Sequence, residues 1–239
     1  MKTTSIFLTA ILASAISFQA MAQLTYGVKL GLNGNSIHQN YKNSDGESAL
    51  KMRLGFHLGA TVDYAFTDAL SFQSGLLYSM KGTKFDLEEG MLPGVSVEGY
   101  SRTTLNYLEI PLHVAYKIND FQIYAGPYLA YCLGGKHKWD YKTTVGAISL
   151  TSEGDAKIKS FLGKVKSDDL GAGESAVNAL DLGLNFGVGY KIGAILINAG
   201  YSLGMGNLSP KMDVSGYDRA DFKENNRVLS LSVSYFLGQ

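Results

Sequence analysis

Eight segments of this chain alternate apolar and polar side chains with a period of two. In the clearest of them, 51–66, every even-numbered residue is apolar and every odd-numbered residue is polar, glycine or alanine. Successive side chains of a strand point to opposite faces, so each segment predicts a strand with one apolar and one polar face. The predicted strands are 25–33, 51–66, 70–81, 101–117, 121–133, 179–191, 194–203 and 227–237.

The connections between these segments alternate between short and long. Two- or three-residue turns are predicted at 67–69, 118–120 and 192–193, and long loops at 34–50, 85–99, 134–176 and 204–226. Tight periplasmic turns that alternate with long outside loops are typical of outer-membrane barrels. Strands of about ten residues are long enough to cross a bilayer at a tilt. We therefore predict an all-β fold, a single eight-stranded antiparallel up-and-down transmembrane β-barrel.

The N-terminus has the pattern of a secretory signal peptide, at residues 1–22. Lys2 is the positive start, 6–16 is an apolar run, and Ala20-Met21-Ala22 is a small-residue cleavage site before Gln23. The apolar run is too short to span a bilayer as a helix, which makes an uncleaved anchor the weaker alternative. We expect export, cleavage, a mature barrel domain at 23–239 and localisation to the cell outer membrane, with both termini periplasmic.

Composition and charge narrow the function classes further. The chain has 21 basic and 21 acidic residues, so there is no basic excess for nucleic-acid binding. Its 28 glycines and 15 tyrosines suit a barrel with close strand approach and aromatic girdles. Cys132 is the only cysteine, so it cannot form an internal disulfide, and we expect it to pack as a small side chain.

The polar faces of the predicted strands carry many charged and histidine side chains. An eight-stranded barrel is just wide enough for side chains to fill it, and a buried charge without a partner is costly. We therefore expect a plugged interior in which acids pair with lysines or Arg53, and a proton- or ion-conducting path is the alternative. The predicted interior network is Lys29, Arg53, His57, Asp63, Lys81, Glu109, His113, Lys117, Asp181 and Lys191, together with Lys51 at the start of its strand.

The sequence gives little sign of catalysis. His57 and His113 with nearby acids suggest a hydrolase as an alternative, but a nucleophile elbow of the Gly-x-Ser-x-Gly type and a spaced metal cluster are both missing. We expect no catalytic residues, no cofactor and no metal.

The predicted loop 134–176 is the most informative exposed stretch. It mixes cations with aromatics around Trp139, which suits either lipopolysaccharide phosphates or the end of an aromatic girdle. Apolar Ile158, Phe161, Leu162 and Val165 have helical spacing, which predicts one short amphipathic helix on the membrane surface or over the barrel mouth. The candidate contacts with lipopolysaccharide or a partner protein are Lys136, Lys138, Trp139, Lys157, Lys159, Lys164 and Lys166.

Three motifs resemble the PorT-like family of Gram-negative outer-membrane β-barrels. Two of them are 124–128, Tyr-Ala-Gly-Pro-Tyr, and the glycine-alternating run 181–190. The most specific is a run in the fourth strand, Asn106, Tyr107, Leu108, Glu109, Ile110, Pro111 and Leu112. The resemblance covers the mature chain and implies an eight-stranded barrel. One namesake member is tied to protein secretion, but most members have no assigned activity.

These features predict a non-enzymatic outer-membrane protein that acts in binding or envelope structure through its outside loops. The expected partners are outer-membrane lipid and lipopolysaccharide. The first alternative is an accessory of a secretion or envelope machine, and the second is a lipid-A-modifying barrel enzyme. A soluble lipocalin-like carrier would need apolar residues on the inward face, where this chain has charges and glycine.

Overall fold

The computed structural model of the chain describes residues 23–41, 51–92, 95–212 and 222–237, and nearly all of them lie in strands. The predicted signal peptide, 1–22, lies outside the described residues. Besides the strands, the described chain has a one-turn 3-10 helix at Ser167–Asp169. The strands are β1 (Leu24–Tyr41), β2 (Arg53–Ala65), β3 (Leu70–Leu92), β4 (Val95–Ile118), β5 (Phe121–Val145), β6 (Ile148–Phe161), β7 (Lys164–Val165), β8 (Glu174–Asn178), β9 (Leu180–Ile192), β10 (Ile195–Gly204), β11 (Lys211–Met212) and β12 (Phe222–Leu237).

Eight of these strands form a closed antiparallel ring in the order β1, β2, β3, β4, β5, β9, β10, β12. The ring closes between the first and last strands, from the pair Tyr26–Leu237 to the pair Tyr41–Phe222. Each ring strand therefore has a partner on both sides, which leaves no open sheet edge in the barrel wall. The predicted eight-stranded up-and-down barrel is confirmed.

One end of the barrel is closed by short turns, as predicted. The connections are 66–69 between β2 and β3, Asn119-Asp120 between β4 and β5, and Gly193-Ala194 between β9 and β10. The first position of each two-residue turn has positive φ, 54° at Asn119 and 57° at Gly193. Asparagine and glycine tolerate this backbone better than other residues, which explains why the hairpins turn there.

The outer wall of the ring is an uninterrupted apolar belt. Its side chains include Leu30, Leu58, Leu184 and Leu231, and all of them are exposed. A soluble protein rarely leaves so much contiguous apolar surface uncovered, whereas a membrane barrel presents it to lipid. The described residues contain no helix that is long and apolar enough to cross a membrane.

The inner wall is polar and rich in glycine, and the glycines make room for large side chains. A Cβ built on Gly187 or Gly200 would lie 2.6 or 2.2 Å from the Tyr124 hydroxyl oxygen. A Cβ on Gly183 would lie 2.8 Å from a ring carbon of Tyr128. Tyrosines of β5 therefore fill the lumen against the glycine faces of β9 and β10.

At the other end the strands extend beyond the predicted limits, so much of the predicted long loops is strand. The parts of these loops at 42–50, 93–94 and 213–221 lie outside the described residues. β3 and β4 stay paired from Leu70–Tyr116 out to Leu92–Val95, although 85–99 was predicted as a loop. The predicted loop 134–176 contains the outer half of β5, all of β6 and β7, and part of β8. These stretches are polar, so their composition resembles that of a loop. They form strands nonetheless, because each one pairs with a neighbouring strand that extends with it.

The predicted amphipathic helix within 155–167 is also wrong. Ile158 and Phe161 lie in β6, which pairs with β5 through a two-residue turn at Gly146-Ala147. Leu162 is exposed and Val165 lies in β7. Four apolar residues at helical spacing span only two turns, and the β-hairpin overrides that local pattern.

A bulge in β5 reverses which side chains face the lumen. The register between β4 and β5 shifts between Asn106–Gly134 and Tyr107–Cys132, which leaves Leu133 as the extra residue. Even-numbered residues of β5 face inward up to Cys132, and odd-numbered residues face inward from His137 onward. Pro127 also lies in β5, and the register between β5 and β9 passes it unchanged.

We expect an arginine at the middle of the lipid-facing belt to destabilise the barrel. Leu231→Arg places a charge where β12 pairs with β1 and β10, and it should cost about 2–4 kcal/mol of unfolding free energy. Urea unfolding of the protein in lipid vesicles measures this. Leu150→Arg is the matched control, since Leu150 is 68% exposed against 57% for Leu231 but lies on β6 above the belt. Equal unfolding free energies for the two variants would contradict the position of the belt.

Candidate functional site

The centre of the lumen is occupied by one buried lysine between two acids. Lys81 Nζ lies 2.8 Å from Glu109 Oε2 and 3.3 Å from Asp181 Oδ2. The Lys81 side chain is 2% exposed and that of Asp181 is fully buried. These residues come from β3, β4 and β9, so the contacts cross the lumen and tie separate parts of the ring together.

Two tyrosines enclose this ammonium group. Lys81 Nζ lies 4.5 Å from the Tyr128 ring centroid and 5.0 Å from the Tyr107 ring centroid, both in the range of cation–π contacts. The Tyr128 hydroxyl donates to Asp181 Oδ2 at 3.2 Å. We call Lys81, Glu109, Asp181, Tyr107 and Tyr128 the Lys81 cluster. Its rings and charges are buried and fill the lumen at this level.

Asn226 completes the shell around the cluster. Its Nδ2 donates to Asp181 Oδ2 at 2.8 Å and to the Tyr107 hydroxyl at 3.5 Å. Asn226 lies in β12, within a stretch predicted as loop, so its role was missed. Tyr107 was singled out only as a motif residue. The alternation around Leu108–Leu112 was the signal for the position of Tyr107, because the apolar residues face lipid and Tyr107 falls on the other, inward face.

A second polar layer lies toward the short-turn end. Lys117 Nζ lies 3.0 Å from Asp63 Oδ1, and Gln73 donates to Asp63 Oδ2 at 2.6 Å. Lys191 lines a cavity of about 400 Å³ at this mouth together with Asp63 and Lys117. The predicted interior charges therefore fall into two layers rather than one continuous chain.

The two lumen histidines contact amides. His57 Nδ1 lies 2.8 Å from Asn33 Oδ1. Asn185 Nδ2 donates to His113 Nε2 at 3.1 Å, and the His113 ring stacks on Tyr124 with centroids 4.9 Å apart. Within the described chain, neither histidine hydrogen-bonds a carboxylate or a hydroxyl.

Lys29 and Arg53 differ from Lys81 and Lys117, which form ion pairs in the lumen. Lys29 lines a cavity of about 40 Å³ together with both histidines and Glu109. Arg53 Nη1 donates to the Thr103 carbonyl at 3.3 Å, so it fastens β2 to β4 instead of meeting Glu109 or Asp181. Lys51, also predicted inward, pairs with Asp86 at 3.6 Å. No group of three or more histidine, cysteine or acidic side chains in the described chain could hold a metal ion.

An apolar layer covers the Lys81 cluster on the outer side. Leu208 is 2% exposed, and its backbone N–H donates to the Glu224 carbonyl at 2.9 Å, which holds this residue across the mouth. Two successive levels of the lumen are therefore filled, the inner one by the charges and rings of the Lys81 cluster and the outer one by apolar side chains. The apolar layer consists of Ile37, Leu105, Cys132, Ile158, Val177 and Leu208.

Beyond this layer, β3 to β6 form a tall sheet whose outer face is rich in cations. Lys84 pairs in register with Arg102, and Arg102 with Lys138. Like charges directly opposite each other destabilise a sheet, so three cations in one cross-strand row need anions nearby. Asp86 lies 3.0 Å from Lys84, and the same lysine lowers the pKa of that carboxyl.

The predicted contact residues of the outer segment separate into two faces. The outer-face lysines, Lys136, Lys138, Lys157 and Lys159, share one side of β5 and β6. Trp139 lies on the opposite, lumen-side face, where its ring contacts His137 at 5.7 Å between centroids. The prediction that Trp139 joins the lysines at one surface is therefore wrong, and the bulge at Leu133 explains why.

Two of the outer-face lysines have acidic partners. Lys136 lies 2.8 Å from Asp155, and Lys159 contacts Glu174. Hydrogen bonds from these lysines lower the pKa of both carboxyls, so both pairs are charged at neutral pH. Lys138 and Lys157 have no ion pair within the described residues. Lys164 lies apart on β7, which pairs with β11, and Lys166 follows it.

Comparison with known proteins places these features in a family. A family model described as outer membrane protein β-barrel domain matches residues 17–209. Among solved structures, Ail, the attachment invasion locus protein of Yersinia pestis, is 14% identical and covers 89% of this chain and 98% of its own, with a TM-score of 0.37. Neisserial surface protein A is 13% identical over 88% and 96%, with a TM-score of 0.35. The outer membrane protease OmpT of Escherichia coli is 9% identical over 90% and 96%, with a TM-score of 0.31. No curated protein matches the sequence.

We expect removal of the central ammonium to destabilise the barrel strongly. Lys81→Met keeps the length of the side chain but leaves Glu109 and Asp181 buried without their cation, which should cost about 3–5 kcal/mol. Urea unfolding in lipid vesicles measures this cost. Lys159→Met removes a more exposed ion pair and should change stability little.

A triple variant tests whether uncompensated charge is the cause. Lys81→Met combined with Glu109→Gln and Asp181→Asn leaves no buried charge at this place and should recover part of the loss. A Lys81→Met protein as stable as the parent would contradict the role of the cluster.

Proposed function

The chain belongs to the family of outer membrane protein β-barrel domains, and from this we propose that it is a non-enzymatic outer-membrane protein with a closed lumen. It acts through the surface that it presents outside the cell, in binding or in envelope structure. The segment 1–22 serves as a cleaved signal peptide. The short turns face the periplasm, and the tall sheet of β3 to β6 projects outward.

The observation that carries the closed lumen is the Lys81 cluster under its apolar layer. A conducting path needs a continuous file of water, whereas Lys81 contacts groups on opposite walls and Leu208 lies above it. The apolar layer and the paired charges of the Lys81 cluster together leave no water-filled route along which an ion could pass. The cluster therefore acts as a brace that joins the walls of the barrel.

The family resemblance at 106–112 fits this role. Tyr107 and Glu109 of that motif point inward onto Lys81, while Leu108 and Ile110 point to lipid. The motif thus supplies the ring and acid of the brace on one face and the membrane surface on the other. On this ground we assign the chain to the PorT-like members of the family.

The histidines support the non-enzymatic assignment. Catalysis by histidine needs a nucleophile and an orienting acid within hydrogen-bond reach. His57 and His113 instead meet asparagine amides deep in the lumen. Each histidine makes one hydrogen bond to a buried amide, as is common for buried polar side chains with a structural role.

We propose lipopolysaccharide phosphates as the partner of the outer-face lysines. Lys136 follows the lipid-facing Leu133 by three residues, about 10 Å along a strand, which is the level of headgroups. Lys138 and Lys157 are exposed. They lie opposite Asp155 and Glu174 in the strand register, but within the described chain those acids form their close ion pairs with Lys136 and Lys159. Lysine binds phosphate as a point charge, so unpaired lysines at this level match the phosphates of lipid A.

Single-channel recording in planar lipid membranes tests the closed lumen. We expect no discrete openings from the wild-type protein at voltages where a porin in the same membrane conducts. Discrete openings that depend on the presence of the protein would overturn the closed lumen and favour an ion path.

Lipopolysaccharide binding tests the outer face. The triple variant Lys136→Gln, Lys138→Gln, Lys157→Gln should bind purified rough lipopolysaccharide at least about tenfold more weakly and with less salt dependence. Lys164 and Lys166, which the sequence also predicted as contacts, lie apart from the outer face, so the proposed site leaves them out. The matched control, Lys164→Gln, Lys166→Gln, Lys211→Gln, removes three charges from the region of β7 and β11 and should bind like the wild type. Equal binding by both variants would remove the outer-face lysines as the site.

A further inference from the structure

A cup lies on the outer side of the apolar layer, and we call it the outer vestibule. Its volume is about 460 Å³, within the range of sites that hold small molecules. Residues of β1, β3, β4, β5, β6, β8 and β12 line it together with Leu208 and Ser209. The vestibule is a blind site, because the apolar layer and the Lys81 cluster lie beneath it.

The floor of the vestibule is hydrocarbon. Leu105, Ile158, Val177 and Leu208 belong to the apolar layer and also line the cup. An apolar body placed there would bury its surface against these side chains, at roughly 25 cal/mol for each Å² removed from water. The floor therefore selects a ligand with an apolar portion.

One wall of the vestibule carries a neutral hydrogen-bonding group. His137 Nδ1 lies 2.9 Å from Thr103 Oγ1, and His137 Nε2 lies 3.4 Å from Ser101 Oγ. Burial lowers the pKa of His137, so its ring is uncharged at neutral pH. This wall offers hydroxyls and an aromatic ring edge, but it offers no positive charge to an anion.

The facing wall carries a carboxylate. Glu224 accepts hydrogen bonds from Gln39 at 2.8 Å and from Ser209 at 3.1 Å, one on each oxygen. Each carboxylate oxygen can accept a further hydrogen bond. Among the described residues that line the cup, Glu224 is the only one with a formal charge. In the ring order, β5 with His137 lies across from β1 and β12, so the two polar walls face each other.

We propose that the outer vestibule binds a small amphiphilic amine from outside the cell. The protonated amine meets Glu224, and the apolar body rests on the floor below His137. An anionic ligand of the same shape would be disfavoured, because the described residues that line the cup include one carboxylate and no cation to offset it. This site lies on the face of the sheet opposite the outer-face lysines and does not depend on lipopolysaccharide binding.

Three probes that share an indole body and differ in charge test the proposal. They are tryptamine, a cation, tryptophol, neutral, and indole-3-acetate, an anion. Amide NMR shifts of the full protein in lipid nanodiscs report binding at 101–105, 137, 175–177 and 224. Tryptamine should bind at least about tenfold more tightly than indole-3-acetate, because tryptamine, unlike the anion, can form a charge-assisted hydrogen bond to Glu224. Tryptophol should bind with intermediate affinity.

Two variants with matched controls locate the site. Glu224→Gln should lower the affinity for tryptamine to that for tryptophol, whereas Glu174→Gln, an acid outside the cup, should not. Ser175→Trp places a ring in the cup and should abolish the shifts from all three probes. Thr151→Trp, on the outer face of β6, should leave them unchanged. Glu224→Gln preserves shape, so it remains informative if the tryptophan variant does not fold.

The proposal is overturned if tryptamine gives no saturable shifts at these residues. It is also overturned if the three probes bind alike, if the anion binds best, or if Glu224→Gln and Ser175→Trp bind like the wild type. Single-channel recording and lipopolysaccharide binding report on the lumen and the opposite face, so their outcomes are separate from this one.

Discussion

Hydrocarbon offers no hydrogen bonds, and this constraint determines the architecture of the chain. Every backbone N–H and C=O that crosses the bilayer must find its partner in a neighbouring strand. The pairing of β1 with β12 satisfies the last of these groups and turns a sheet into a barrel. The apolar belt follows from the same constraint, since side chains on the outside have only lipid to contact.

Closure with eight strands leaves an interior that side chains must fill, and the chemistry inside follows from that small space. Glycines on β9 and β10 let Tyr124 and Tyr128 cross the lumen. Lys81 is tolerated there because two acids and two rings surround its ammonium group. Breaking such a buried arrangement costs far more than losing a surface ion pair. The same filling lies between the inner mouth and the outer vestibule.

The period-two pattern and the short turns made the ring of eight strands predictable, because lipid and lumen impose opposite preferences on alternate residues. The pattern lost this power above the membrane, where both faces of the sheet meet water. There β3, β4 and β5 continue for many residues that were predicted as loop. The bulge at Leu133 was not visible either, although it decides that Trp139 lies on the lumen-side face and Lys138 faces outward. The contribution of Asn226 depends on strand register, which a single sequence does not display.

Joining the N-terminal strand to the C-terminal strand has a consequence for biogenesis. A chain that is still being exported lacks β12, so β1 has an unpaired edge until the final residues arrive. Stable contacts of this kind link residues separated by almost the whole chain, which makes closure slow and exposes intermediates to aggregation. The barrel can therefore be completed only once β12 has been delivered to the open edge of β1.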